Sequence, residues 1–199
     1  MPDLIIKPTA TSGNKLILQD QAGGAVLTTA DSGATLANTT LASTTTFPTG
    51  CVLQIKYVEN KTMSTSTTTF PVDDTIPQNT EGVELMTLEI TPKSTSNKLL
   101  FNASIHAANN VAHSWLLVAL FQGTTANAIA SGYSQISGQA NGISNVELQY
   151  QMTAATTSAT TFKIRAGGNA NTTTFNGSNG ARLNGGVLIS SMTITEIQG

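Results

Sequence analysis

Apolar and polar residues alternate with a period of two along most of this chain, and that alternation leaves little choice of secondary structure. In Lys98 to His106, Leu99, Phe101, Ala103 and Ile105 share one parity, while Asn102, Ser104 and His106 share the other. In Asn145 to Thr153 the apolar set is Val146, Leu148, Tyr150 and Met152, against Glu147, Gln149 and Gln151. A strand points successive side chains to opposite faces, so both stretches read as half-buried antiparallel strands. The same pattern predicts strands near Cys51 to Val58, Glu84 to Thr91, His113 to Gln122, Thr161 to Ala166 and Val187 to Ile197. Turn formers separate them: Pro71, Pro77, Pro92, Asn109-Asn110, Gly138, Asn141-Gly142 and the Gly177 to Gly186 cluster. This rhythm predicts an all-β fold, an antiparallel β-sandwich or jelly roll, over residues 46–199.

Composition narrows the function. A length of 199 residues suits one domain, or one domain with an arm. Charged residues make up only 10%, against about 25% in an average domain, and the apolar share of 39% is too high for a disordered chain. Threonine outnumbers Lys, Arg, Asp and Glu combined, and its branched Cβ suits a pleated surface. The nine Lys and Arg are scattered singly against eleven acids, which argues against a nucleic-acid partner. The longest apolar run, Trp115 to Phe121, is far below the roughly 20 residues of a membrane-spanning helix, so no membrane insertion is expected. The start, Met1-Pro2-Asp3-Leu4-Ile5-Ile6-Lys7, lacks a signal-peptide pattern, and synthesis in a cytoplasm is expected. A lone Cys51 cannot make an intrachain disulfide or a multi-cysteine metal site.

Residues 1–45 behave differently. Leu4-Ile5-Ile6, Leu16-Ile17-Leu18, Val26-Leu27 and Leu36 are short apolar pieces separated by Ser12-Gly13-Asn14, Gly23-Gly24 and Asp31-Ser32-Gly33. None is long enough to build a core, and ordering each residue costs about 1–2 kcal/mol of backbone entropy. Burial must come from outside this arm, from sister chains or a docking partner. Ala42 to Gly50 reads as the linker to the main domain.

His113 to Gln122 breaks the alternation. Trp115, Leu117, Ala119 and Phe121 are apolar on one parity, and Leu116, Val118 and Leu120 on the other. In a two-sheet sandwich only one face of each sheet meets the core. The second face needs a cover, which we read as another chain, the alternative being a loop. With Ile189 and Ile197 on the second face of the last strand, this predicts an obligate homo-oligomer with Trp115, Leu116, Val118, Leu120, Ile189 and Ile197 at its interface.

Little in the sequence carries chemistry. His106 and His113 flank a hairpin, but zinc needs three or four ligands and no third stands at motif spacing, so no metal is expected. Asp73-Asp74, with Glu81 and Glu84, forms the densest acidic stretch; a calcium loop is the alternative to plain solvated turn residues. Gly132-Tyr133-Ser134-Gln135-Ile136 fails the nucleophile-elbow pattern at its last position. Cys51 reads as a small buried hydrophobe rather than a nucleophile. Neither a catalytic residue nor a cofactor is expected. The loop segments Asn109-Asn110, Gly132 to Gln135 and Asn169 to Asn179 offer amides, hydroxyls and aromatic faces suited to carbohydrate or protein recognition, or only to keeping a β-protein soluble.

Three stretches together resemble a known family. Leu4 to Asn38, LIIKPTATSGNKLILQDQAGGAVLTTADSGATLAN, resembles the N-terminal segment of short tail-fibre-like appendage proteins of tailed bacteriophages, especially marine ones. Ile90 to Ile105, ITPKSTSNKLLFNASI, resembles their Thr-Pro-x-Ser-x-x-x-Lys strand start, and Ser191 to Gly199, SMTITEIQG, their final Met-x-Ile-x-Glu-Ile strand. The resemblance implies a C-terminal jelly roll of the C1q or tumour-necrosis-factor type that assembles as a homotrimer. It implies an arm that attaches to other virion proteins of the tail, portal or adaptor, or capsid, with Leu4, Ile5, Ile6, Leu16 and Leu18 as its contacts. The expected location is the virion, made in the host cytoplasm. The expected role is non-enzymatic: adsorption through a host-surface glycan or protein. The chain is short for a tail fibre, which keeps a capsid-decorating or head-fibre role open. A glycan-cleaving appendage is the third reading.

Overall fold

The computed structural model describes residues 17–19, 21–23, 25–30, 33–36, 47–136 and 138–199. Contacts divide the chain into two units, Met1–Thr46 and Phe47–Gly199. In the first, β1 (Ile17–Gln19), β2 (Ala25–Ala30) and β3 (Gly33–Leu36) form an antiparallel sheet in that order. Ile17 and Leu18 are exposed on it. Of the proposed attachment contacts, Leu4, Ile5, Ile6 and Leu16 lie outside the described residues.

The second unit carries eight principal strands: β4 (Val52–Asn60), β6 (Val83–Ile90), β7 (Lys98–Asn109), β8 (Trp115–Gln122), β9 (Ala130–Gln135), β10 (Ile143–Thr153), β11 (Thr160–Gly168) and β15 (Ser190–Ile197). Short strands β5 (Ser64–Ser66), β12 (Thr173–Phe175), β13 (Gly177–Ser178) and β14 (Ala181–Arg182) lie between them. Counting the principal strands in order, the first pairs with the last, the second with the seventh, the third with the sixth, and the fourth with the fifth, all antiparallel. That is one long hairpin rolled on itself, the jelly roll. One sheet runs β4-β15-β7-β10, with β12 pairing the end of β7 and β5 pairing β12; the other runs β6-β11-β8-β9. Several turns use asparagine in the left-handed region, where its short amide side chain is tolerated: Asn141, Asn171, Asn176, Asn179 and Asn184 all have positive φ.

The core lies between the sheets. Leu99, Phe101 and Ile105 of β7, Val146 and Leu148 of β10, Ile164 of β11, and Met192 and Ile194 of β15 are all buried there. Phe101 and Phe162 meet edge to face, with ring centroids 4.7 Å apart. Leu116, Val118 and Leu120 belong to this same core and are completely buried within one chain. This corrects their assignment to a subunit interface, since they have no surface to offer a partner.

The other parity of β8 is covered by the chain itself. Phe70, fully buried, packs on Leu117, Ala119 and Phe121, flanked by Trp115 and Ala128. The segment carrying it is tied down by Phe70 N–H donating to Gly168 O (2.9 Å) and Gly82 N–H to Thr69 O (3.0 Å). It lies so close to β11 that a Cβ on Gly167 would stand 3.1 Å from both Thr68 O and Gly82 Cα. A loop therefore supplies the cover we had expected from a second chain, and the doubly apolar strand is no sign of an oligomer.

Candidate functional site

A bare apolar stripe lies on the other sheet, and it follows from register. Residues directly opposite in an antiparallel pair point to the same face. Met192, Ile194 and Glu196 point inward, so their partners in β4 share the core-side parity: Val58 and Gln54 are half-buried, while Lys56 is exposed. The intervening parity of β4 faces outward: Tyr57 opposite Thr193 and Ile55 opposite Thr195, with Val52 opposite Ile197 beyond a bulge. Exposures of 53% for Tyr57, 62% for Ile55 and 56% for Val52 agree. Strand β4 thus turns its more apolar residues to water and its lysine toward the sandwich edge.

The outward stripe continues across the sheet through Thr193 and Thr195 to Asn102 and Leu100, then to Gln149 and Gln151. Charges stand only at its ends, Glu59 and Glu147 at one and Lys98 at the other. Lys61 donates to Glu59 across a short ion pair and, with the Tyr57 hydroxyl, holds that carboxyl below its ordinary pKa. Of the predicted interface residues, Ile197 lies on this face, half-buried, opposite Lys98 of β7. Ile189 is half-buried just before β15, and Trp115 sits on the far sheet.

The chemistry-bearing side chains have structural duties. His106 Nδ1 donates to Ile189 O at 2.8 Å, while His113 is an exposed turn residue with φ of 58°. Asp73 Oδ1 accepts from the Thr75 hydroxyl and from its N–H, and these bonds lower the Asp73 pKa. Among the described residues no group of three or more His, Cys, Asp and Glu is placed to hold a metal. Cys51 is a free, half-buried thiol immediately before β4.

Among the described residues Glu196 is the one fully buried carboxylate, and it joins the chain's two best-marked motifs. One oxygen accepts from Lys93 N–H (2.7 Å) and Asn97 Nδ2 (2.6 Å), the other from Gln54 Nε2 (2.5 Å). Asn97 Oδ1 in turn accepts from Gly199 N–H. The Thr-Pro-x-Ser loop and the Glu-Ile terminus are therefore one hydrogen-bonded unit that closes the end of the sandwich. A carboxylate enclosed by three donors serves the fold and has no access to a substrate.

No family model and no curated protein sequence matches the chain. Among solved structures it is similar to the Eiger tumour-necrosis-factor protein of S. frugiperda, at 8% identity and a TM-score of 0.44, over 71% of this chain and 90% of that one. It is also similar to a chain of infectious bursal disease virus, Gt strain, at 9% identity and a TM-score of 0.40, over 85% of this chain but only 45% of that one. The jelly-roll assignment rests on the strand pairings above.

The recognition loops expected from the sequence divide. Asn169 serves the fold: its Oδ1 accepts from Trp115 N–H at 2.8 Å, and its own N–H donates to Trp115 O. Gly132 to Gln135 is not a loop but part of edge strand β9, which carries Tyr133 outward. Nothing short of knowing the β8–β9 pairing would have placed Tyr133 beside Trp115.

Proposed function

We propose that the chain is a non-enzymatic structural component of a virion: a homotrimeric, tail-fibre-like appendage whose N-terminal arm docks on the particle and whose jelly roll contacts the host surface. The observation that carries this reading is the inverted strand β4, with Val52, Ile55 and Tyr57 turned to water across an uncharged sheet face. A strand's facing is strongly specified wherever one side is buried, so an apolar parity held outward calls for a cover. Copies meeting around a symmetry axis juxtapose identical residues, and a face with no charge in its middle does so without repulsion. The phage-appendage resemblance of the arm and of the two terminal motifs supports the virion setting.

The test is the mass of the full chain in solution and its competition with particles for host cells. A trimer of the 20.6 kDa chain is expected, along with inhibition of adsorption by the purified protein. Ile55→Asp should yield monomers that keep their β circular-dichroism spectrum. A monomeric wild-type chain overturns the assembly, and a trimer that leaves adsorption untouched turns the reading to capsid decoration.

A further inference from the structure

The loop that covers the β6-β11-β8-β9 sheet stops short of one corner. There Trp115 and Tyr133 meet edge to face, with ring centroids 5.2 Å apart and planes at 70°. Tyr133 stands opposite Leu117 and is 68% exposed. Ser131 and Gln135 share its parity and its exposure. Among the described residues, the side chains of Ser131, Tyr133 and Gln135 have no hydrogen-bond partner. The paired bonds between Asn169 and the Trp115 main chain anchor the backbone from which the indole projects.

Ser131 also lines a groove of about 340 Å³, whose wall includes Asp73, Asp74, Ile76 and Ala128. The groove and the aromatic pair form one strip, since Ser131 and Tyr133 are about 7 Å apart along the same face of β9. The groove is lined by no lysine or arginine. Asp74 makes no hydrogen bond among the described residues, and Asp73 is held in place by Thr75.

We propose that this strip binds a neutral oligosaccharide, with one ring stacked on Tyr133 and hydroxyls of a neighbouring ring received by the Asp73-Asp74 carboxylates. The C–H bonds on one face of a sugar ring carry partial positive charge and meet the negative face of an aromatic ring. Carboxylates accept hydroxyl protons in strong charge-assisted bonds, while the same two charges repel acidic sugars. The span from Tyr133 to the groove needs more than one ring. This names the ligand class for the adsorption reading above and rests on it.

Trp115 is the sole tryptophan, so its emission reports on this corner directly. The full chain is titrated with maltotriose, cellotriose and chitotriose, and with oligogalacturonate as the acidic probe. Expected is a saturable change in emission with a neutral probe and none with the acidic one. Tyr133→Ala should weaken binding by about tenfold or more, and Asp74→Asn by less, with the oligomer mass unchanged. The inference is overturned if no neutral probe changes the emission, if oligogalacturonate binds equally well, or if Tyr133→Ala binds like wild type. It also falls if Tyr133→Ala alters the mass, because the strip would then hold a second copy. Host-cell binding separates the two readings: equal binding by wild type and Tyr133→Ala removes the strip and leaves the appendage. A saturable sugar response without any cell binding removes adsorption and leaves the sugar site.

Discussion

The outward faces of the two sheets are both apolar in part, yet they are treated differently. On the β6-β11-β8-β9 sheet the loop bearing Phe70 closes over Leu117, Ala119 and Phe121. On the β4-β15-β7-β10 sheet nothing among the described residues covers Val52, Ile55 and Tyr57. An apolar second face states that a cover is needed and leaves open who provides it. Where the chain provides it, the strand belongs to the monomer's stability; where it does not, the face is left for assembly.

The sharpest way to break this contrast is one charge on each sheet. Val118→Asp buries a carboxylate in the core with no partner, and a domain's net stability is only about 5–15 kcal/mol. We expect no soluble folded protein, whereas Ile55→Asp should keep its fold and lose its oligomeric state, with a midpoint that no longer depends on protein concentration. Soluble, folded monomers from Val118→Asp would mean that the core is wrongly placed. Phe70→Ala comes next. Emptying a fully buried phenylalanine site costs about 3–5 kcal/mol, and urea unfolding should show it. A loss below about 1 kcal/mol would show that the loop rests on the sheet without sealing it.

A smaller effect tests the closure at the end of the sandwich. Glu196→Gln sets an amide N–H against Gln54 Nε2, which cannot turn over without releasing Thr91 O, to which it also donates at 2.8 Å. We expect a loss of about 1–3 kcal/mol with the fold and the oligomer intact. Unchanged stability would mean that water replaces the lost acceptor and that the unit does not tie the terminus down.

Much of the architecture is legible in the residues. Each of the seven strands expected from alternation occurs, although the last begins at Ser190 because a 3₁₀ turn at Asn184–Gly186 precedes it. Strands β5, β9, β12, β13 and β14 were not foreseen, and two of them show the physical reason. Ala130–Gln135 contains Gly132 and two serines and no β-branched residue, and Thr173–Phe175 is too short for a period to register, though all three of its residues are buried. Phe70 could not be foreseen as a lid because it follows three threonines and precedes a proline, with no apolar neighbour to announce a face. The candidate surfaces were the least legible part. Trp115 was assigned to a trimer interface and Tyr133 to a loop, and only the pairing of β8 with β9 brings them together. Strand β4 shows the limit of pattern reading most plainly, since alternation gives two parities and only the partner strand decides which one faces in.

The covered face should also show a weak pH dependence of its own. At its β6–β11 margin, Glu84 accepts from the Thr87 hydroxyl at 2.7 Å and pairs with Lys163 at 2.9 Å. The Thr87 hydrogen bond, then that with Lys163, lowers the Glu84 pKa. A carboxyl whose pKa is lower in the folded state than in the unfolded one stabilises the fold above its unfolded value, about 4.3 for glutamate, and stops doing so as pH falls through the folded value. Glu84 is substantially exposed, so solvent screening keeps the contribution below about 1 kcal/mol, equivalent to at most about 2–4 °C in the midpoint. Wild type should therefore melt slightly above Glu84→Gln at neutral pH, and the two should converge in the acid range. Added salt should shrink the gap at neutral pH, because the pair is open to counter-ions. A difference that persists undiminished into acid would assign the effect to packing of the side chain rather than to its charge.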